Sequence, residues 1–220
     1  MVSTPTKTQD STISPTLTPK FSLKVLDSPK GKNSSASDSN VAACKARLEV
    51  IVKTIEDNFN KWQLAEKRGL ALCTSIEAIK TKALEKLNTN ENSSKVTSYP
   101  HELKLYCDKL AIIASIFEDI TSNARESLRQ LKALSKLPGS CNEIFYRSWD
   151  LNNFIEFLTE LLERYEKESK VKIHVSEHLP HCTTRSDLIR SSTAWEYPQH
   201  IDSYVHLMFL FFKEEINLKK

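Results

Sequence analysis

Two stretches of this chain repeat apolar residues with a four-and-three step, and that repeat limits the fold more than any other feature. Between Leu48 and Leu87 the stepped positions are Leu48, Val52, Ile55, Phe59, Trp62, Glu66, Gly69, Cys73, Ile76, Lys80, Ala83 and Leu87, nine of the twelve apolar. From Leu103 the step resumes through Tyr106, Leu110, Ile113, Phe117, Ile120, Ala124, Ser127, Leu131 and Leu134, nine of ten apolar. A spacing near 3.5 residues keeps one stripe on one face of a long helix, where it can bury against another helix. The first stripe is interrupted at Glu66 and Gly69, where a weak spot or kink is expected. The polar segment 88–98 reads as a loop. Two such helices joined by a loop predict an antiparallel hairpin with coiled-coil-like packing, and leave open whether the heptads pair within one chain or between two copies as a homodimer.

Prolines punctuate the rest. Pro100, Pro138, Pro180 and Pro198 fall between periodic segments, as expected of a residue without a backbone N–H that also disfavours helix just before it. After Pro138-Gly139-Ser140, either Ser148 or Asp150 can cap a helix carrying Leu151, Phe154, Ile155, Leu158, Leu161, Leu162 and Tyr165. Thr184, with Asp187 three residues on, resembles a capping arrangement for a short helix to about Trp195. Ile201 to about Ile216 predicts a final helix. Alternating Val/Ile/Thr runs and Asn-Gly turns are missing, so the expected class is all-α. Residues 1–40 contain nineteen Ser, Thr or Pro and few large apolar side chains. Such a segment cannot bury enough surface to offset its ordering entropy. The expected organisation is a disordered tail over 1–40, with Phe21, Leu23, Val25 and Leu26 as a short docking patch, a helical hairpin over 41–137 and a C-terminal helical region over 138–220.

Composition narrows the chemistry. With only three glycines, far apart, no G-x-G-x-x-G or phosphate-cradling loop exists. Of the net charge of +3, residues 1–47 carry seven Lys/Arg against three Asp, so the remainder is close to neutral. That argues against direct nucleic-acid binding. Five cysteines, odd in number and without a C-x-x-C pair, read as reduced intracellular thiols. The longest apolar-rich run, Tyr204 to Phe212, is well short of the ~18 residues a membrane span needs, so no membrane partner is expected.

No nucleophile sits beside a base on a turn, and the Glu/Lys-rich stretch Glu163 to Lys172 reads as a solvated helix face rather than a carboxylate site. His174, His178, His181 and Cys182 form the one metal-like cluster, but Pro180 breaks its geometry and no H-E-x-x-H pattern accompanies it. The expectation is therefore a non-enzyme with no catalytic residues, no metal and no cofactor. The tryptophans Trp62, Trp149 and Trp195, with Phe154 and Tyr165, are candidate partner-binding residues, because aromatic side chains are enriched at interface hot spots. Thr4 lies in a Thr-Pro-x-Lys kinase-substrate pattern, and Ser14, Thr18 and Ser28 each precede proline. These four are the candidate phosphorylation sites.

Three ordered blocks carry a resemblance. Lys61-Trp62 is followed by Gly69; Tyr99 is followed by Glu102-Leu103, Cys107 and Leu110. The third block is the most specific: Phe145, Trp149, Phe154, Leu161-Leu162-Glu163, Tyr165, Lys167-Glu168, Val175, Glu177, Leu179 and His181, then Trp195 and Pro198. Spanning about residues 48–202, this pattern resembles the cyclin-dependent kinase 2-interacting protein (CINP) family; the aromatic segment after Asp202 departs from it. The resemblance implies a nuclear, non-catalytic helical adaptor of the DNA replication complex. Its implied partners are a cyclin-dependent kinase, the origin-firing kinase, the ATR checkpoint complex, and an AAA-type ATPase complex acting in chromatin replication and ribosome maturation. The alternative reading is a purely structural coiled-coil subunit of a stable assembly.

Overall fold

A computed structural model describes residues 33–89, 99–140 and 142–217. The chain divides after Lys32 into a first stretch outside the described residues and a helical unit that begins at Asn33. Five α-helices follow: α1 (Asn33–Thr89), α2 (Leu103–Leu134), α3 (Leu151–His178), α4 (Arg185–Glu196) and α5 (Ser203–Ile216), with a short 3-10 turn at Leu179–His181. The described residues contain no strand, and the class is all-α. None of these helices is long and apolar enough to cross a membrane.

The boundary of the tail moves. Residues 33–40, expected to belong to it, are helical. Adding a residue to an existing helix costs far less than nucleating one. No proline lies between Pro29 and Pro100, so the heptad helix propagates backward through a Ser/Asn-rich stretch. The four phosphorylation candidates, Thr4, Ser14, Thr18 and Ser28, and the patch from Phe21 to Leu26 lie outside the described residues.

Helices α1 and α2 run antiparallel. The Cys44 thiol donates to the Leu134 carbonyl at 4.0 Å and Arg47 to Gln130 at 2.8 Å, while further along Trp62 meets Phe117 edge-on at 4.5 Å. Their stripes are not closed by these two helices alone. Tyr165 of α3 stacks on Trp62 with centroids 4.4 Å apart and planes 18° from parallel, so the buried stripe is the axis of a three-helix core. Asp150, of the two candidates, caps α3: its carboxylate accepts from the Asn152 and Asn153 amides, and Asn153 accepts in return from the Asp150 amide. Thr184 caps α4, accepting from Asp187 N at 3.1 Å, and Asp202 caps α5. Gly139, early in the connection from α2 to α3, adopts the left-handed region at φ 86°, where a side chain would be strained.

Helices α4 and α5 form a divided fourth layer over α1 and α3. Phe209 of α5 stacks on Phe59 of α1 at 3.6 Å, and Phe212 stacks on Phe157 of α3 at 4.8 Å. Trp195 of α4 lies on α1 at Gly69, where an added Cβ would come within 1.9 Å of the indole. The interruption at Glu66 and Gly69 is thus a seat for α4 within one unbroken helix, in place of the expected weak spot.

Candidate interaction surface

The five aromatic residues expected to dock a partner are placed first by their burial. Trp62, Phe154, Tyr165 and Trp195 are fully buried. Trp149 is half-buried and touches Phe154 at 5.0 Å, with Phe157 and Phe212 just beyond. Four of the five rings are core and Trp149 packs against it from the edge, which corrects the expectation that this set docks a partner. Two packings account for it: Phe212 of α5 closes over Trp149 and Phe154, while Trp62, Tyr165 and Trp195 are buried against one another's helices, with Tyr165 stacked on Trp62, and Phe117 edge-on to both Trp62 and Trp195. Two polar atoms are carried into this core without a hydrogen-bond partner, Trp62 Nε1 and the Tyr165 hydroxyl. Burial drives the Tyr165 phenol far above its usual range.

Beside them lies a polar cluster whose Glu168 and Lys172 belong to the stretch read from the sequence as a solvated face. Lys172 is fully buried; its Nζ donates to the Trp195 carbonyl at 2.7 Å and pairs with Glu168 Oε1 at 3.2 Å and Glu66 Oε1 at 3.4 Å. The ammonium also sits 5.2 Å from the Trp195 ring, within cation–π range. Glu168, equally buried, accepts from the His200 amide at 3.0 Å, and Trp195 Nε1 donates to the Glu66 carbonyl at 3.0 Å. The cluster pins α4 and the connection to α5 onto α1 and α3. Burial pushes the Glu66 carboxyl up, with Lys172 opposing, and pushes the Cys73 thiol up to about 12. A sequence signal existed: Leu158, Leu161, Tyr165, Glu168, Lys172, Val175 and Leu179 keep the four-and-three step straight through the charged positions.

Glu215 anchors the end of α5 in the same manner, accepting from Ser148 N at 2.6 Å, Ser148 Oγ at 2.7 Å and Trp149 N at 2.8 Å. Burial alone would raise this carboxyl, but the Ser148 and Trp149 donors outweigh it and hold it below the usual range. The histidine cluster is engaged within itself. His174 and His178 stack at 3.9 Å, His178 Nδ1 lies 2.9 Å from the His174 carbonyl, and the Cys182 thiol donates to the His178 carbonyl at 3.6 Å. Tyr99 stacks on His181 at 6.0 Å. Among the described residues no group of three His, Cys, Asp or Glu side chains could hold a metal ion. Cys44, Cys73, Cys107 and Cys182 are free thiols.

One apolar surface left open to a partner is the outer face of α5. Tyr204, Leu207, Leu210 and Phe211 are 49%, 48%, 62% and 62% exposed. They follow helical spacing on the side away from Val205, Phe209 and Phe212. This helix is therefore apolar on two sides, one closing the core and one facing outward. Arg164 of α3 lies over the Tyr204 ring at 4.7 Å and pairs with Glu160 at 2.7 Å, forming one rim of that face. No protein-family model and no curated protein matches this chain.

Proposed function

We propose that this protein is a non-catalytic helical adaptor whose α5 outer face receives a protein partner. The observation that carries the reading is the set Tyr204, Leu207, Leu210 and Phe211, each about half exposed or more on a helix whose other side is already committed to the core. Together they amount to an apolar patch on the order of 400 Å², the size of the largest and often functional patches on free monomers. A helix of this kind is over-supplied with apolar surface for its role in the fold. The non-catalytic reading is supported by how three buried ionisable groups are used: Lys172 ties α3 to α1 and α4, Glu168 ties α3 to the connection before α5, and Glu215 ties α5 to the residues before α3.

The resemblance to the CINP family supplies the direction of the proposal. The protein acts in the nucleus, in the DNA replication complex, linking a cyclin-dependent kinase and the origin-firing kinase, with roles in ATR checkpoint signalling and with an AAA-type ATPase complex. The test is affinity purification from nuclear extract, comparing the parent chain with Leu207→Asp and Phe211→Asp. Both side chains are exposed, so helicity and melting temperature should stay close to the parent values. Loss of the kinase and ATPase partners by these folded variants is the expected outcome. Full recovery of all partners by both variants would remove α5 as the interface.

A further inference from the structure

A second open face lies on α1 and α2. Arg68, Ala71 and Leu72 of α1 and Lys109, Ile112 and Ile113 of α2 line a groove of about 440 Å³ between the two antiparallel helices. Its walls are aliphatic, its two charged rim residues are both cations, and no Asp or Glu among the described residues lines it. Ile112 is 64% exposed, the most of any large aliphatic side chain in the described fold. Leu64 on α1 and Leu105 on α2, both about half exposed, extend the apolar line beyond the groove. At ~100° per residue, Arg68, Ala71, Leu72 and Ser75 fall on the far side of α1 from Val52, Phe59 and Glu66, the side where α4 and α5 sit. The groove is thus separate from the α5 face.

We propose that this groove binds a single amphipathic α-helix of a partner protein, one whose aliphatic stripe is flanked by Asp or Glu at its centre. Two parallel ridges about one helix width apart accept a third helix between them, as ridges into grooves. The line from Leu64 to the level of Leu105 covers ~15 residues of α1, so the partner helix needs about four turns, or ~22 Å. Charge decides what flanks the stripe. Arg68 and Lys109 face the middle of that helix across the groove, so carboxylates there are attracted and lysines repelled. At the Leu105 end Glu102 and Asp108 accompany Lys104 and His101, so the charge preference belongs to the centre. The inference rests on the adaptor reading for its biological use, since a bridge needs two separate surfaces, but binding at the groove is measured without it.

The experiment is fluorescence anisotropy with the full chain and two synthetic helical peptides of about 16 residues. Both carry Leu at i, i+4, i+7 and i+11; one has Glu flanking the stripe and the other Lys at the same positions. The Glu peptide should bind about tenfold more tightly than the Lys peptide. The variant Arg68→Glu with Lys109→Glu should invert that order, and Ile112→Asp should weaken both peptides at least about tenfold. All three positions are exposed, and circular dichroism confirms that each variant stays folded. Equal binding of the two peptides, an order that survives the charge reversal, or indifference to Ile112→Asp would each overturn the proposal. So would a parent chain that is dimeric in light scattering and becomes monomeric with Ile112→Asp, since a second copy would then fill the groove.

Discussion

Replacing Gly69 with Ala sets two physical effects of opposite sign against each other. In an isolated helix the change is favourable by roughly 1 kcal/mol, because glycine loses the most backbone freedom on ordering. In this structure the new Cβ would lie 1.9 Å from Trp195 Cζ2, 2.5 Å from Cε2 and 2.9 Å from Nε1. Ordinary contact begins near 3.4 Å, so the indole cannot keep its place. It has little freedom to leave. Trp195 is fully buried, its Nε1 donates to the Glu66 carbonyl, and its own carbonyl holds the buried Lys172 ammonium.

Expelling a buried tryptophan from its site costs about 3–5 kcal/mol, and loosening the Lys172 acceptor adds to it. The net expectation for Gly69→Ala is a loss of about 2–4 kcal/mol, read by urea unfolding followed by circular dichroism. The control is the same substitution in a Trp195→Ala background. With the indole gone, the added methyl meets open space, and the substitution should become neutral or stabilising by up to ~1 kcal/mol. A single variant Gly69→Ala as stable as the parent or more so would refute the seating of α4 on α1, and so would equal losses in both backgrounds.

Three further outcomes follow from the buried charges. Lys172→Met should destabilise by roughly 3–5 kcal/mol in urea unfolding, because it strands the Glu168 carboxylate in the core, and adding Glu168→Gln should recover part of that loss. The Glu215 carboxyl is held below its usual range, so its contribution is present above the unfolded-state value near 4.5 and is lost as pH falls through the lower folded value. The stability difference between the parent and Glu215→Gln should therefore shrink on acidification below about pH 4.5 in pH-dependent melting. Glu66 is pushed the other way, so relative to Glu66→Gln the parent should gain stability as pH falls through the raised folded value; a loss there would contradict the burial of that carboxyl.

The sequence by itself determined what is local. The four-and-three stripes specify long helices because period and helical geometry agree over many turns. Thr184, and Asp150 of the pair Ser148 and Asp150, sit where unpaired amides need an acceptor within three residues. The all-α class followed from the same pattern. What the tertiary structure decided is which partner each position meets. Glu66 and Gly69 look like defects along α1, and Glu168 and Lys172 look like a solvated run along α3. They become a matched set only when α4 brings Trp195 between them. Likewise Trp149, Phe154 and Phe157 read as surplus until α5 covers them with Phe209 and Phe212, and Tyr165 until Trp62 of α1 stacks on it. Phe211 is then left without cover, beside the buried Phe212 and indistinguishable from it by type. Hydrogen bonds within a helix join neighbours in sequence, whereas burial joins residues that are far apart. The face an apolar side chain presents can be read from its spacing, but what covers that face depends on how the helices pack.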